Sequence, residues 1–178
     1  PTIPSWFSEM LPLSFDLGME IGRFRRLLEE KFSKGRSREE ILKFIDEYLY
    51  VDMNSAEAIY KYFYEMFQYV KEIPNDKKIV IEHYNAYNKK FVVFHTLYGR
   101  RVNDVLSRAV AYLVGLLGKR DVELGINDNG FYVVGEKVDR ERIEKAIKFL
   151  NEKNVEEILK EAIEKTESLR RRFRHCAT

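Results

Sequence analysis

The chain has 178 residues, 45% of them apolar, enough for one good core or two small packed lobes. No apolar stretch reaches the roughly 20 residues needed to span a bilayer. The single cysteine, Cys176, allows neither a disulfide framework nor a cysteine-based zinc site. The net charge of +2 conceals an imbalance: residues 1–76 hold 10 basic and 14 acidic side chains, residues 77–178 hold 21 and 15. A phosphate-rich partner is therefore expected on the second half. A reducing, cytoplasmic interior is the natural compartment, and no membrane association is expected. The bias toward Lys, Glu, Ile and Tyr fits a thermophile, and Pro1 and Thr178 read as cuts through a longer protein.

Residues 1–12 read as extended and carry Trp6 and Phe7. Ser14 suits a helix N-cap, and Leu17, Ile21, Phe24 and Leu28 recur at 4-3-4 spacing, the stripe of a helix that Gly35 ends. Ser37 with Glu40 forms a capping box for a second helix with Ile41, Ile45, Tyr48 and Leu49 inward. Asn54 with Glu57 repeats the device for a third, with Ile59, Phe63, Met66, Phe67 and Val70 inward and Pro74 closing it. Residues 1–76 are thus expected to form a helical subdomain with an extended, Trp-bearing N-terminal segment.

The pattern changes at about residue 77. Lys78–Tyr84 and Phe91–Leu97 read as a hairpin. Asn103 is the expected cap of a helix over 104–117, apolar nearly all round and so buried. Val122–Ile126 and Phe131–Val134 form a second hairpin about Asn127-Asp128-Asn129-Gly130. Asp139 caps a helix to about Leu150. Asn154 with Glu157 boxes a long last helix, with Ile158, Ala162, Leu169 and Phe173 inward. The expected fold class is α+β: an N-terminal helical layer, then two hairpin-helix units over 77–178 forming a four-stranded, mainly antiparallel sheet, then a long C-terminal helix.

No G-x-x-x-x-G-K-[ST] phosphate loop is present. Gly115-Leu-Leu-Gly118-Lys119-Arg120 has the wrong spacing and lacks the hydroxyl that holds magnesium. Asp46-Glu47-Tyr48-Leu49 has the composition of a helicase acidic box but lies within an amphipathic helix. This stretch of chain is therefore expected to have no enzymatic activity and no cofactor of its own. His83 and His95 fall on strands that pair, with Glu82 nearby; the loop length leaves open whether they share a face, as a small metal-dependent hydrolase would require.

Several residues suit contact with a polynucleotide, each with a structural alternative. Trp6, outside any helical stripe, can stack on an unpaired base or fold back onto the helical layer. Arg100, Arg101 and Asn103 sit where a helix N-terminus would offer free N–H groups to a phosphate, or make a solvated turn. Gly18 and Gly22 imply a close approach, more often by another helix than by a strand of nucleic acid. Arg23 and Arg26 point off the apolar stripe toward a backbone or a neighbouring domain. Arg170, Arg171, Arg172 and Arg174 cover several directions of one helix with no local acid, as phosphate or an acidic partner domain would favour, while a helix C-terminus also favours cations. Tyr60, Tyr62, Tyr64 and Tyr69 fit the edge of a helical core.

Three segments together resemble the Lhr (large helicase-related) type of superfamily 2 helicase, in the DEAD/H-associated region that follows its motor domains. They are Trp6-Phe-Ser-Glu9-Met-Leu-Pro12 leading into Leu17-Gly18-Met-Glu20-Ile-Gly22-Arg23-Phe24-Arg25-Arg26; Phe94-His95-Thr-Leu-Tyr-Gly99-Arg100-Arg101-Val-Asn103 with Asn127-Asp-Asn-Gly130-Phe; and Leu169-Arg170-Arg171-Arg172-Phe173-Arg174-His175. The resemblance implies a parent that moves 3′ to 5′ using ATP and Mg2+ bound elsewhere, single-stranded DNA or RNA as partner, and contact with motor and winged-helix domains of the same polypeptide. It implies base stacking by Trp6, with Ser8 standing where relatives often carry glycine. The alternative is an interdomain scaffold with little nucleic-acid binding of its own.

Overall fold

The computed structural model describes residues 11–86 and 89–164. Three helices come first: α1 (Phe15–Ser33), α2 (Arg38–Leu49) and α3 (Met53–Val70). The Ser14 hydroxyl accepts from the Leu17 N–H at the head of α1, and the Ser37–Glu40 capping box forms in both directions at α2. The third cap differs from expectation. Asp52, not Asn54, caps α3, its carboxylate accepting from the N–H groups of Asn54 and Ser55. Glu57 instead takes Arg38 of α2 at 2.6 Å. The carboxylate wins because it reaches two free N–H groups and the Ser55 hydroxyl at once.

The helices close around Phe24, Leu28, Phe32, Ile41, Ile45, Ala56, Phe63 and Ile73. Leu17, Leu49 and Val70, expected inward, are exposed. In the first half of α1 it is Gly18 and Gly22 that face protein, and the stripe turns inward only from Phe24 onward.

The second part is a sheet of β1 (Val80–Ala86), β2 (Lys89–His95), β3 (Glu123–Asn127) and β4 (Gly130–Gly135), in the order β1-β2-β4-β3 with every pairing antiparallel. Helices α4 (Gly99–Gly118) and α5 (Arg140–Phe149) pack on the face that carries Val92, Phe94, Phe131 and Val133, and α6 (Val155–Glu164) packs against α4. The α+β class and the two hairpin-helix units are therefore present. Asp139 caps α5 as expected. Asn154 does not cap α6 by its side chain, which bonds the Asn151 N–H and the Phe149 carbonyl and ties α6 to the end of α5. Ile158 and Ala162 are buried; Leu169 and Phe173 lie outside the described residues. No helix among the described residues is long and apolar enough to cross a membrane.

The register answers the histidine question. His83 pairs with Val92, and His95 with Val80. Side chains alternate along a strand, so His83 shares the helix-covered side with Val92 while His95 lies on the other. They cannot share a metal, and no cluster among the described residues could hold one.

Candidate nucleic-acid interface

The two parts of the molecule meet through backbone. Leu97 and Gly99 both take positive φ, 55° and 77°, which turns the chain sharply between β2 and α4. Their N–H groups donate to the carbonyls of Asn129 and Asp128 in the β3–β4 turn. A Cβ on Gly18 would strike the Leu97 carbonyl, and one on Gly99 would strike the carbonyl of Leu13. The starts of α1 and α4 are thereby held side by side, with the Phe15 and Tyr98 rings 5.9 Å apart. The close approach signalled by the glycine pair comes from loops rather than from a helix.

This turn moves the start of α4 forward by five residues from the expected Asn103 cap. Tyr98 is the N-cap and makes no side-chain cap hydrogen bond. The Gly99 N–H is satisfied by Asp128, whereas those of Arg100 and Arg101 lie in the first turn, where no intrahelical acceptor exists. Both arginine side chains are exposed, and neither has a carboxylate partner among the described residues. Free N–H groups, the positive end of a helix and two guanidiniums without a carboxylate partner among the described residues give this corner the chemistry an anion would need. Leu13, whose carbonyl lies against Gly99, brings the start of the described chain to this corner.

Asn103 is not part of the exposed corner. It is fully buried within α4. Its carbonyl accepts from the Thr96 hydroxyl at 2.6 Å, and its amide donates to the carbonyls of Asn127 and Asp128 at 3.0 and 3.2 Å. Asn103 therefore pins β2, α4 and the β3–β4 turn together and holds the arginine corner in place.

Arg26 is likewise occupied. Its Nε donates to Asp76 at 2.8 Å and its Nη1 lies 3.4 Å from Glu30, and the Asp76 bond above all raises its pKa. Arg23 is exposed and 3.9 Å from Glu20. At about 100° per residue it points some 140° around α1 from Gly18, away from the join. Trp6, Arg170, Arg171, Arg172 and Arg174 lie outside the described residues.

Two features escaped the sequence. Glu29, on α1, is buried and accepts from the Ile73 N–H, the Asn75 amide and Lys78, so it organises residues 73–78 between the two cores. Only its glutamate identity on an apolar face hints at this. The second is an apolar groove of about 400 Å³ walled by Leu17, Ile21, Phe24, Leu49 and Phe63. The Arg25 guanidinium lies over the Phe63 ring at 5.3 Å, with Nε buried and lacking a hydrogen-bond partner among the described residues. Burial holds its pKa below the ordinary arginine range.

Comparison with known proteins assigns the chain. The model of the family described as DEAD/H associated matches residues 73–178, more than half of the sequence. The chain belongs to the DEAD/H-associated family. This DEAD/H-associated domain is of the Lhr type. It is 49% identical over 178 residues to the ATP-dependent helicase Lhr-Core of Methanothermobacter thermautotrophicus, covering 99% of this chain and 20% of that protein. It is 42% identical to the Lhr-Core of Saccharolobus solfataricus, covering 99% of this chain and 21% of that protein. The chain thus spans about a fifth of the length of the curated relatives it matches. Among solved structures, the Mycobacterium smegmatis helicase Lhr, determined bound to ssDNA and AMP-PNP, superposes with a TM-score of 0.63 at 16% identity, over 80% of this chain and 18% of that one. The DEAD/H-associated domain shares that fold.

Proposed function

We propose that this domain grips a single strand of DNA or RNA for a 3′-to-5′ helicase motor carried elsewhere in the same polypeptide, where ATP and Mg2+ act, and that it performs no catalysis itself. The observation that carries the reading is the corner at the start of α4, where Arg100 and Arg101 lack carboxylate partners among the described residues beside free helix N–H groups. Phosphate contacts of this kind fix position without reading sequence. In this reading Trp6 supplies base stacking, Arg170, Arg171, Arg172 and Arg174 add phosphate contacts, and Arg23, which points away from the corner, could reach only a more distant part of the strand. The names of the relatives and the ssDNA in the Mycobacterium Lhr structure support the same reading.

A second reading, an interdomain scaffold, draws on a specific observation. The open apolar groove with its unsatisfied Arg25 Nε suits a neighbouring motor or winged-helix domain.

The test is oligonucleotide binding against salt for the unaltered chain, Trp6→Ala, and Arg100→Ala with Arg101→Ala. Gripping requires that affinity fall steeply with salt, that Trp6→Ala cost about 1–3 kcal/mol of binding, and that melting stay unchanged. Salt-independent binding, or a Trp6→Ala chain that melts early and still binds, would favour the scaffold.

A further inference from the structure

The far end of α4 carries a second cluster of cations, in line with the first. Arg101, Val105, Arg108, Tyr112, Leu116 and Lys119 follow one another at spacings of 4, 3, 4, 4 and 3, so they form one stripe along the helix. Val105 and Leu116 are 42% and 52% exposed, and Arg101 and Lys119 are exposed too. The stripe alternates cations with apolar and aromatic side chains. Its ends are exposed, while Arg108 and Tyr112 between them are half-buried, Tyr112 against the core and bonded to Glu161 of α6.

The stripe ends in a cleft of about 520 Å³ between α4, the start of β3 and α6. Arg108, Lys119, Arg120 and Asp121 line it, three cations against one carboxylate. Its floor is apolar and low: Ala111, Gly115 and Ala162 add little bulk, with Val122 and Leu124 beyond. Two acids beside the stripe are engaged, while Asp121 in the cleft and Glu157 and Glu164, on the same face of α6 as Glu161, stand nearby. Asp104 is held by Arg108 at 2.8 Å, and Glu161 accepts from the Tyr112 hydroxyl. Lys119 and Arg120 have no carboxylate partner among the described residues. Helix-end electrostatics accounts for a cation at Lys119, but not for a low apolar floor beside it.

We propose that the strand held at the Arg100–Arg101 corner continues along this face of α4 and that phosphates several nucleotides further on sit on Lys119 and Arg120, with a base over the apolar floor of the cleft. This rests on the nucleic-acid reading above and extends it to a path. Arg101 and Lys119 are 18 residues apart, so the path is about 27 Å long. It calls for a strand of several nucleotides, within the about 4–16 that single-strand grooves cover. A basic stripe with interleaved apolar surfaces matches a chain of alternating phosphates and planar bases. An acidic peptide would use the charges and leave the floor empty.

The experiment uses the 178-residue chain with a single strand of about 16 nucleotides and compares three proteins across a salt series: unaltered, Arg100→Ala with Arg101→Ala, and Lys119→Ala with Arg120→Ala. All substituted positions are exposed, and circular dichroism confirms that folding is intact. Each lost phosphate contact on a single strand lowers the salt slope by about 0.7, so each double variant should lower it by about 1.4. If the Lys119–Arg120 variant keeps the full slope while the Arg100–Arg101 variant loses it, the path is wrong and the gripping corner stands. If the unaltered chain binds no strand, the reading beneath it fails as well. If a poly-glutamate peptide loses affinity for the Lys119–Arg120 variant and the oligonucleotide does not, the cleft is an acidic-peptide site and the proposal is overturned.

Discussion

Gly22→Ala tests how the two cores are joined, because two effects of opposite sign act at one position. In a helix with open space around it, replacing glycine by alanine stabilises by about 1 kcal/mol. Here a Cβ on Gly22 would sit 2.7 Å from the Asp76 backbone nitrogen and 3.0 Å from its Cα. Relief needs a backbone movement of several tenths of an ångström, and Asp76 has little freedom. Its carboxylate holds Arg26, and the neighbouring Asn75 pairs with Lys78 and reaches Glu29. Overpacking of this kind costs about 1–3 kcal/mol, toward the upper end where backbone must move. The net result is a loss of about 1–2 kcal/mol. At this chain length that corresponds to a fall in Tm of about 2–8 °C. Thermal melts followed by circular dichroism read it directly. A rise in Tm would mean that Asp76 does not lie against α1, and the join described above would be wrong.

Asn103→Ala should cost about 2–3 kcal/mol, because it strips partners from the Thr96 hydroxyl and from two turn carbonyls; urea denaturation measures it. Glu29→Gln keeps the shape but sets an amide donor against Asn75 or Lys78, and should cost about 1.5–3 kcal/mol in the same assay. Acid should destabilise the fold. The Ser55 hydroxyl, with the first N–H groups of α3, holds the Asp52 carboxyl below its ordinary 3.8, and Arg140 lowers Glu144 in the same sense. A depressed folded pKa contributes stability above the ordinary value and loses it as pH falls through the lower one. Tm should therefore drop progressively as pH falls below about 5, and Asp52→Asn should flatten that part of the profile.

Glycine, capping and register show where local chemistry was sufficient and where it was not. The Ser37–Glu40 box and the Asp139 cap involve atoms a few residues apart, so they could be read from the letters alone. So could the β3–β4 hairpin, because Asn127 to Gly130 is itself the turn. The centres of the α2 and α3 stripes, Ile41, Ile45 and Phe63, and the two hairpin-helix units followed from periodicity, and so did the α+β class, while the stripe ends Leu49 and Val70 turned out exposed. Asn54, Asn103 and Asn154 looked like equally good caps and none acts as one. An asparagine side chain goes to whichever backbone group is nearest in space, and at Asn103 those groups come from residues 127 and 128. The same limit hid the faces of His83 and His95, which depend on strand register, and the partners of Gly18 and Gly22, which lie about 80 and 54 residues away in the chain. It also separated arginines that look alike on paper: Arg26 is claimed by Asp76, while Arg100 and Arg101 are exposed with no carboxylate partner among the described residues. Composition and spacing thus determined the elements and their class. Only tertiary structure decided which polar groups were spent holding those elements together, because that depends on what long-range packing brings within hydrogen-bond distance.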